Sequence, residues 1–494
     1  MGAAVTEALR ALDVRNLNLA VHDASFPGDA DEDIGRGAPG SRGGLRFLAF
    51  VRELGFTGVQ LGPDGQPPPD DPSPYRGAAF PRNVLSIPLA TLARDPEWNG
   101  LLPEASLQEA VASRPDGSRE HAAHDYATRV HTRALRAAFS RRERLSDEQR
   151  RFEREHAHWL ERYELFDAIA AEHGTRDVRR WGTVDAHLWR TDGRVEAARR
   201  TALRAANAEA IAFFRFAQFV AQVERRRLAN AARALGLRLF ADLPIGLAAE
   251  DEWCFPDLAL DGHRMGAPPS RTTPAGQPWG YPVFDPRRYH EDGRPGPVLR
   301  FLAARLDRVL EGADGIRIDH PHGLVCPWVY DADVRAGARL FESPDRPGLD
   351  RFALVRRDQL NPDASTARWA DDWVTHLEPE QVRSYAVLLD AVVAAAGGTD
   401  HVVCEVLSTL PTPLACVLKN HGLGRFRVTQ KAVLSDPSDV YRSENARPED
   451  WAMVGTHDTL PIWRVAEEWR RTGALAGRAD YLASRLAPRP EERA

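Results

Sequence analysis

Gly315-Ile-Arg-Ile-Asp319-His320 is a short β-branched run that stops on an acid and a histidine. The same pattern returns along the chain in Leu17-Asn-Leu-Ala-Val-His22, Gly58-Val-Gln-Leu61, Leu237-Arg-Leu-Phe-Ala-Asp242, His401-Val-Val-Cys-Glu405 and Trp451-Ala-Met-Val-Gly-Thr-His-Asp458. Apolar runs of this length, bounded by a polar residue and a loop, read as buried strands. Helix-period segments lie between them, among them Leu45 to Leu54 and Val298 to Leu310. Strand, helix and strand in that order predict an α/β fold, with a parallel sheet wound as a (β/α)8-type TIM barrel.

Residues 97–235 break the rhythm. Trp159, Tyr163, Phe166 and Ala170 recur at helical spacing, and Phe213 to Leu235 is a second long apolar-patterned helix with Gly236 as its stop. We therefore read 1–96 as the first part of the barrel, 97–235 as a mainly helical insertion, and 236–494 as the remainder. Two stretches read as extended loops, Gly62 to Arg82 and the longer 248–286, both rich in Pro and Gly. Glu467 to Ala494 reads as a helix and a frayed tail.

Composition narrows the functional classes. Across 494 residues, 65 Lys and Arg stand against 71 Asp and Glu, so no basic surface large enough for a phosphate backbone is expected and nucleic acid is excluded as a first reading. No run approaches a membrane-spanning length and the amino terminus has no signal-like apolar core, so no membrane association is expected. Four cysteines without CxxC spacing, Cys254, Cys326, Cys404 and Cys416, suit neither a disulfide framework nor a zinc knuckle. A reducing cytoplasm is the expected compartment. Gly35-Arg-Gly-Ala-Pro-Gly40 spells a dinucleotide fingerprint but opens from no strand, and His121, His124 and Asp125 read as a solvated face, so neither cofactor nor metal is expected.

Asp242, Asp319, Glu405 and Asp458 all stand at predicted strand ends, where a parallel barrel converges its catalytic groups. One Asp after a strand is an ordinary helix cap. Four acids with Arg317, His320 and His457 beside them can divide protonation states between them, which glycosidic-bond chemistry requires.

At these residues the sequence resembles the α-amylase clan. Arg317-Ile-Asp-His320, the Glu405 strand end and Gly455-Thr-His-Asp458 match its three catalytic motifs in order. It is more specifically similar to the 4-α-glucanotransferases (amylomaltase, or disproportionating enzyme) of glycoside hydrolase family 77, through Ser73-Pro-Tyr75, Trp159-Leu-Glu-Arg-Tyr163 with Phe166, Ala241-Asp-Leu-Pro-Ile245, Gly266-Ala-Pro-Pro269 and Gly276-Gln-Pro-Trp-Gly280. The resemblance implies Asp319 as nucleophile, Glu405 as general acid and base, and Asp458 as a binder of sugar hydroxyls, assisted by His457. It implies that Arg317 keeps the nucleophile ionised, that Tyr75 and Trp279 are aromatic platforms and that Asp242 hydrogen-bonds in the same pocket. The implied substrates are α-1,4-glucans and malto-oligosaccharides, with no cofactor.

Several positions depart from the family pattern. Pro321-His-Gly323 replaces Phe-Arg-Gly, Val406-Leu-Ser408 replaces Asp-Leu-Gly, and Ala241, Tyr281 and Thr459 stand for Gly, Asn and Asn. Arg-Ile-Asp-His-Pro with Gly-Leu is also similar to malto-oligosyltrehalose synthases of the clan. That activity, a glucan hydrolase and a degenerate glucan-binding member without turnover are the alternative readings. With 36 residues after Asp458 (494 − 458), the barrel is expected to fall one strand short.

Overall fold

The computed structural model describes residues 2–69, 71–117, 121–270, 273–333, 337–363 and 371–486; the expected tail beyond 486 lies outside them. Seven short parallel strands form its centre. β1 (Asn18–Ala20), β2 (Gly58–Pro63), β3 (Arg238–Leu243), β4 (Gly315–Ile318) and β5 (Val402–Cys404) pair in chain order as one sheet. β6 (Phe426–Val428) and β7 (Trp451–Met453) form a separate parallel pair. The Phe426 amide donates to the Val406 carbonyl at 3.0 Å, which joins the two sheets just beyond β5. Among the described residues no strand pairs with the outer edge of β1 or β7.

β3 and β4 are buried almost throughout because helices cover one face and the barrel interior the other. Gly315 is required at the start of β4. A Cβ there would lie 2.6 Å from the Phe240 ring and 2.7 Å from the His401 carbonyl oxygen. The expected crossover helices are present with local reasons for their ends. Arg42–Glu53 begins at Ser41, whose hydroxyl accepts from the Gly44 amide, and Pro297–Leu310 opens with proline in its first turn. Pro379–Ala396 and Thr412–His421 stop at Gly397 and Gly422, both left-handed.

Between β2 and β3 the chain is helical, chiefly His124–Phe139, Ala157–His173 and the 27-residue Ala208–Ala234. Trp159, Tyr163, Phe166 and Ala170 are buried in one core with Phe216 and Val220 of the last helix. That helix then runs under the barrel, where Leu228, Ala229 and Ala232 pack with Leu48, Val59, Leu61 and Leu239. It serves both as the floor of the insertion and as the β2 to β3 crossover.

The stretch 248–286 is more ordered than its composition indicates. It holds a short helix, Ala249–Cys254, and two strands, His263–Ala267 and Gln277–Tyr281, which pair antiparallel. His263–Ala267 also pairs with Trp328–Asp331, which in turn pairs with Gly337–Arg339. The partner lies more than sixty positions away along the chain, so local sequence reads as loop what long-range pairing makes sheet.

Asp251, fully buried, ties these layers together. It accepts from the Ala79 amide at 2.9 Å, from the Ala248 amide at 2.8 Å and from the Tyr163 hydroxyl. Asp251→Ala should cost about 3 kcal/mol, because three donors, the Ala79 and Ala248 amides and the Tyr163 hydroxyl, lose their buried acceptor. Urea unfolding should show Asp251→Asn losing less, since its carbonyl oxygen still accepts; a cost below about 1 kcal/mol for the alanine variant would contradict this.

Candidate active site at the carboxyl ends of the strands

Strand register builds the site. Asp242 on β3 and Arg317 on β4 are paired positions, and Arg317 is paired in turn with Val403 on β5. The ladder continues one residue beyond the strands: the Asp319 amide donates to Leu243 and the Glu405 amide to Ile318. Asp319 and Glu405 therefore emerge side by side at the rim, above Arg317 and Asp242.

Arg317, only 1% exposed, is the centre of the cluster. Its Nη1 lies 2.6 Å from Asp242 Oδ1 and 2.9 Å from Asp319 Oδ1, and its Nη2 touches Glu405 Oε2. His320 Nδ1 is 3.1 Å from Asp319 Oδ1 and 3.6 Å from Glu405 Oε2. His320 reaches both acids from a left-handed backbone, φ 48°, a conformation that non-glycine residues adopt at some cost.

These neighbours drive the two rim acids apart in protonation. Burial pushes Glu405 up to about 8 against the opposing charges of Arg317 and His320, with Asp319 adding to the rise. Burial would also raise Asp319, but the hydrogen bond and charge of His320 and the charge of Arg317 prevail and hold it well below the usual carboxylate range. At neutral pH one acid is ionised and the other protonated. Burial raises Asp242 as well, opposed by Arg317.

On the opposite wall, the short turn Pro74–Arg76 presents Tyr75, whose hydroxyl donates to Asp242 Oδ2 at 3.2 Å and lies 2.7 Å from His457 Nε2. The Tyr75 and His457 rings stack with centroids 5.9 Å apart. His22, at the end of the first strand run, lies 4.6 Å from the His457 ring and completes the wall. Burial lowers His22, and it lowers His457 to about 4, so both are neutral at pH 7. The sequence reading assigned no role to His22, although its position at a strand end was the same signal that marked the acids.

Trp279 stands on the antiparallel ribbon, 5.2 Å from His320 and edge-on to it. A cavity of about 450 Å³ is bounded by Tyr75, Trp279, Asp319, His320, Glu405 and Asp458. Asp458 is the outlier among the sequence-derived acids. Its side chain is 63% exposed, and its ion-pair neighbour among the described residues is His457, at 3.4 Å. It sits in a tight turn closed by Thr459 onto Thr456, beyond the half-buried β7. The structure thus brings Tyr75, Asp242, Arg317, Asp319, Glu405 and His457 into one cluster and leaves Asp458 at the mouth.

Asp319, His320 and Glu405 also offer a donor set for a cation, one donor atom of each lying within 4.8 Å of the others. Arg317 already touches both carboxylates, so an added cation would meet a guanidinium charge. The trio is satisfied as an ion-paired acid cluster instead.

The fold and site define an α/β barrel protein with a buried acid cluster at the carboxyl ends of its strands. The profile of glycoside hydrolase family 77, described as 4-alpha-glucanotransferase, matches residues 22–489, and the chain belongs to that family. It is 31% identical over 337 residues to the 4-alpha-glucanotransferase of Thermus thermophilus, covering 64% of this chain and 60% of that protein. It is 28% identical over 348 residues to that of Aquifex aeolicus, covering 67% and 65%. The matches thus span less than two thirds of either relative. A longer match reaches the chloroplastic/amyloplastic enzyme of Solanum tuberosum, 24% identical over 482 residues, 94% of this chain and 73% of that protein. In fold, the chain is similar to the amylomaltase from Streptococcus agalactiae in complex with acarbose, with TM-score 0.71, 19% identity and coverage of 96% of this chain and 86% of that one.

Arg317→Met should destabilise the fold by about 3–5 kcal/mol, because three acids lose their buried cation. Without it, Asp319 loses one of the charges that hold it low, and burial raises Asp242 and Glu405 further above their ordinary values. Such groups stabilise the fold while protonated and lose that contribution as pH rises. Thermal unfolding between pH 4.5 and 8 should therefore show the variant losing Tm with rising pH more steeply than the native chain; parallel curves would refute it.

Proposed function

We propose that the chain is a 4-α-glucanotransferase that moves α-1,4-glucan segments between malto-oligosaccharides by a retaining double displacement. The observation that carries this reading is the closeness of Asp319 and Glu405, with carboxylate oxygens within 4.8 Å. Retaining pairs stand about 5–5.5 Å apart, whereas inverting pairs need about 6.5–9.5 Å to admit a water between them.

The split in protonation assigns the roles. The Asp319 carboxylate attacks the anomeric carbon while Glu405 gives its proton to the departing glycosidic oxygen, leaving a glycosyl ester on Asp319. Glu405, now ionised, takes the proton from the 4-hydroxyl of an acceptor glucan, which attacks the same carbon and releases Asp319. Arg317 keeps Asp319 ionised before the first step and accepts the regenerated carboxylate after the second. Tyr75 and Trp279 serve as platforms for glucose rings, and Asp242 holds the Tyr75 hydroxyl. His457 binds sugar hydroxyls from beside Tyr75 and Asp458 from the mouth, a position that suits the acid to engage substrate after it has entered.

Maltotriose should yield glucose together with maltopentaose and longer products. Glucose and maltose alone would mark a hydrolase, and trehalose-terminated products the synthase reading. The exposure of Asp458 favours a second reading, a glucan-binding family member without turnover; any time-dependent disproportionation would remove it. Asp319→Asn should abolish transfer with the fold intact, and full activity in that variant would take Asp319 out of the mechanism.

The pH profile has a definite sign. Glu405 must be protonated in the free enzyme, so kcat/KM should fall above about pH 8 as it ionises. Asp319 is held too low to add an acid limb above about pH 4. A profile rising through pH 8 to 9 would exclude Glu405 as the acid.

We also place the protein in the cytoplasm. All four cysteines are free thiols, three of them buried, and among the described residues no helix is long and apolar enough to cross a membrane.

A further inference from the structure

Backbone pairing stops at β1 on one side of the sheet and at β7 on the other, since no strand among the described residues pairs with either outer edge. Two side chains meet there instead. His22 follows β1 and His457 follows β7, and their rings lie 4.6 Å apart with planes tilted by 37°. This ring contact joins the first strand of the barrel to the last where no backbone ladder does.

Each ring is placed from its own side. The Val21 amide donates to the Gln60 carbonyl at 2.9 Å, which keeps the chain beside β2 up to the residue before His22. The His22 ring then lies over Gly62 of β2, where a Cβ would stand 3.1 Å from two of its ring atoms, so glycine leaves the room the imidazole occupies. His22 Nε2 is buried and meets no hydrogen-bond partner among the described residues. Packing against Gly62, His457 and the Tyr75 ring, 6.1 Å away, therefore sets its position. His457 is held through Nε2 by the Tyr75 hydroxyl, which Asp242 holds in turn. His457 is part of the cavity lining, and His22 stands behind it.

The charged and titratable groups facing the pair are Asp23, Arg317, Asp319, Asp458 and Tyr75. Burial is the largest influence on both rings and keeps them neutral. Asp23 and Asp458 favour a proton on His22 and Arg317 opposes it. Asp458 and Asp319 favour one on His457, opposed by Arg317 and by His22 itself. Two neutral rings pack at this distance, whereas a proton on either puts a charge into a contact from which water is largely excluded.

We propose that His22 is a positioning residue for the transfer reaction: its ring latches the Gly455–Thr459 turn to the first strand, so that His457 and Asp458 are presented to substrate although the sheet is not closed beneath them. For the reaction it serves, this rests on the transferase reading. The turn needs such a hold, because Asp458 is exposed and the helix that follows has no buried residue.

His22→Ala should lower kcat on maltotriose about tenfold with KM within about threefold of native, because the hold matters most when the turn meets the transition state. His22→Phe keeps a neutral ring on Gly62 and should restore kcat at pH 7 to within about threefold of native. The pH profile separates a latch from ordinary packing. Native kcat/KM should fall below pH 6.5 as His22 takes a proton, and in His22→Phe that limb should move down to about pH 4, where His457 titrates. A phenylalanine variant as impaired as the alanine variant, or one whose acid limb stays where the native limb lies, would overturn the proposal. If the native chain does not turn over maltotriose, the transferase reading fails and the latch is tested without substrate. Hydrogen exchange of the Trp451–Leu460 amides should then quicken about fivefold in His22→Ala and stay native in His22→Phe; unchanged exchange in the alanine variant overturns the latch. Should His22→Ala not fold, Gly62→Ala, whose added Cβ displaces the same ring, takes its place in both measurements.

Discussion

Arg317 is a cation with almost no access to water, and it is tolerable there because three carboxylates surround it. Asp242, Asp319 and Glu405 each lie in contact with one of its terminal nitrogens, and each reaches that place through the register of a different strand. A buried charge without its partners costs several kcal/mol, so the pairing of β3, β4 and β5 and the composition of the acid cluster stand or fall together. The same guanidinium sets the chemistry. One positive charge shared among three acids cannot keep them all ionised, and His320 tips the division so that Asp319 carries the charge and Glu405 the proton.

Around this cluster the rim is assembled from segments far apart in the chain. Tyr75 arrives on a short turn after β2, Trp279 and Tyr281 on a ribbon after β3, and His457 on the turn after β7. Asp251 couples two of these to the scaffold, since the backbone beyond Tyr75 and the helix before the ribbon hydrogen-bond to the same carboxylate. Tyr163 of the insertion donates to it as well, so the helical insertion contributes to the placement of the pocket walls besides covering the barrel.

The corner that carries Asp458 is built differently. β7 is only partly buried, and the helix after it, Ile462–Thr472, has no buried residue; Trp463 is 77% exposed. Few apolar contacts hold this corner, in contrast to β3 and β4, and segments of that kind open at low free-energy cost. His457 is the exception, anchored through Tyr75 to Asp242, so the motif is held at the histidine and free at the acid.

Much of this was legible in the linear chain. The polar ends of apolar runs marked Asp242, Asp319 and Glu405, and two-residue spacing put Arg317 on the same side of its strand as Asp319, because strand alternation is a local property. The helices at Ala157–His173 and Ala208–Ala234 were legible for the same reason. The sheet within 248–286, the contact of His22 with His457 and the exposure of Asp458 were not. Each depends on which distant segment lies opposite, and on how much water that neighbour excludes. Residue order by itself determined which acids are present and that three of them meet at one end of a parallel sheet. Only tertiary structure decided which acid keeps its proton, because that is set by burial and by the positions of Arg317 and His320 in space.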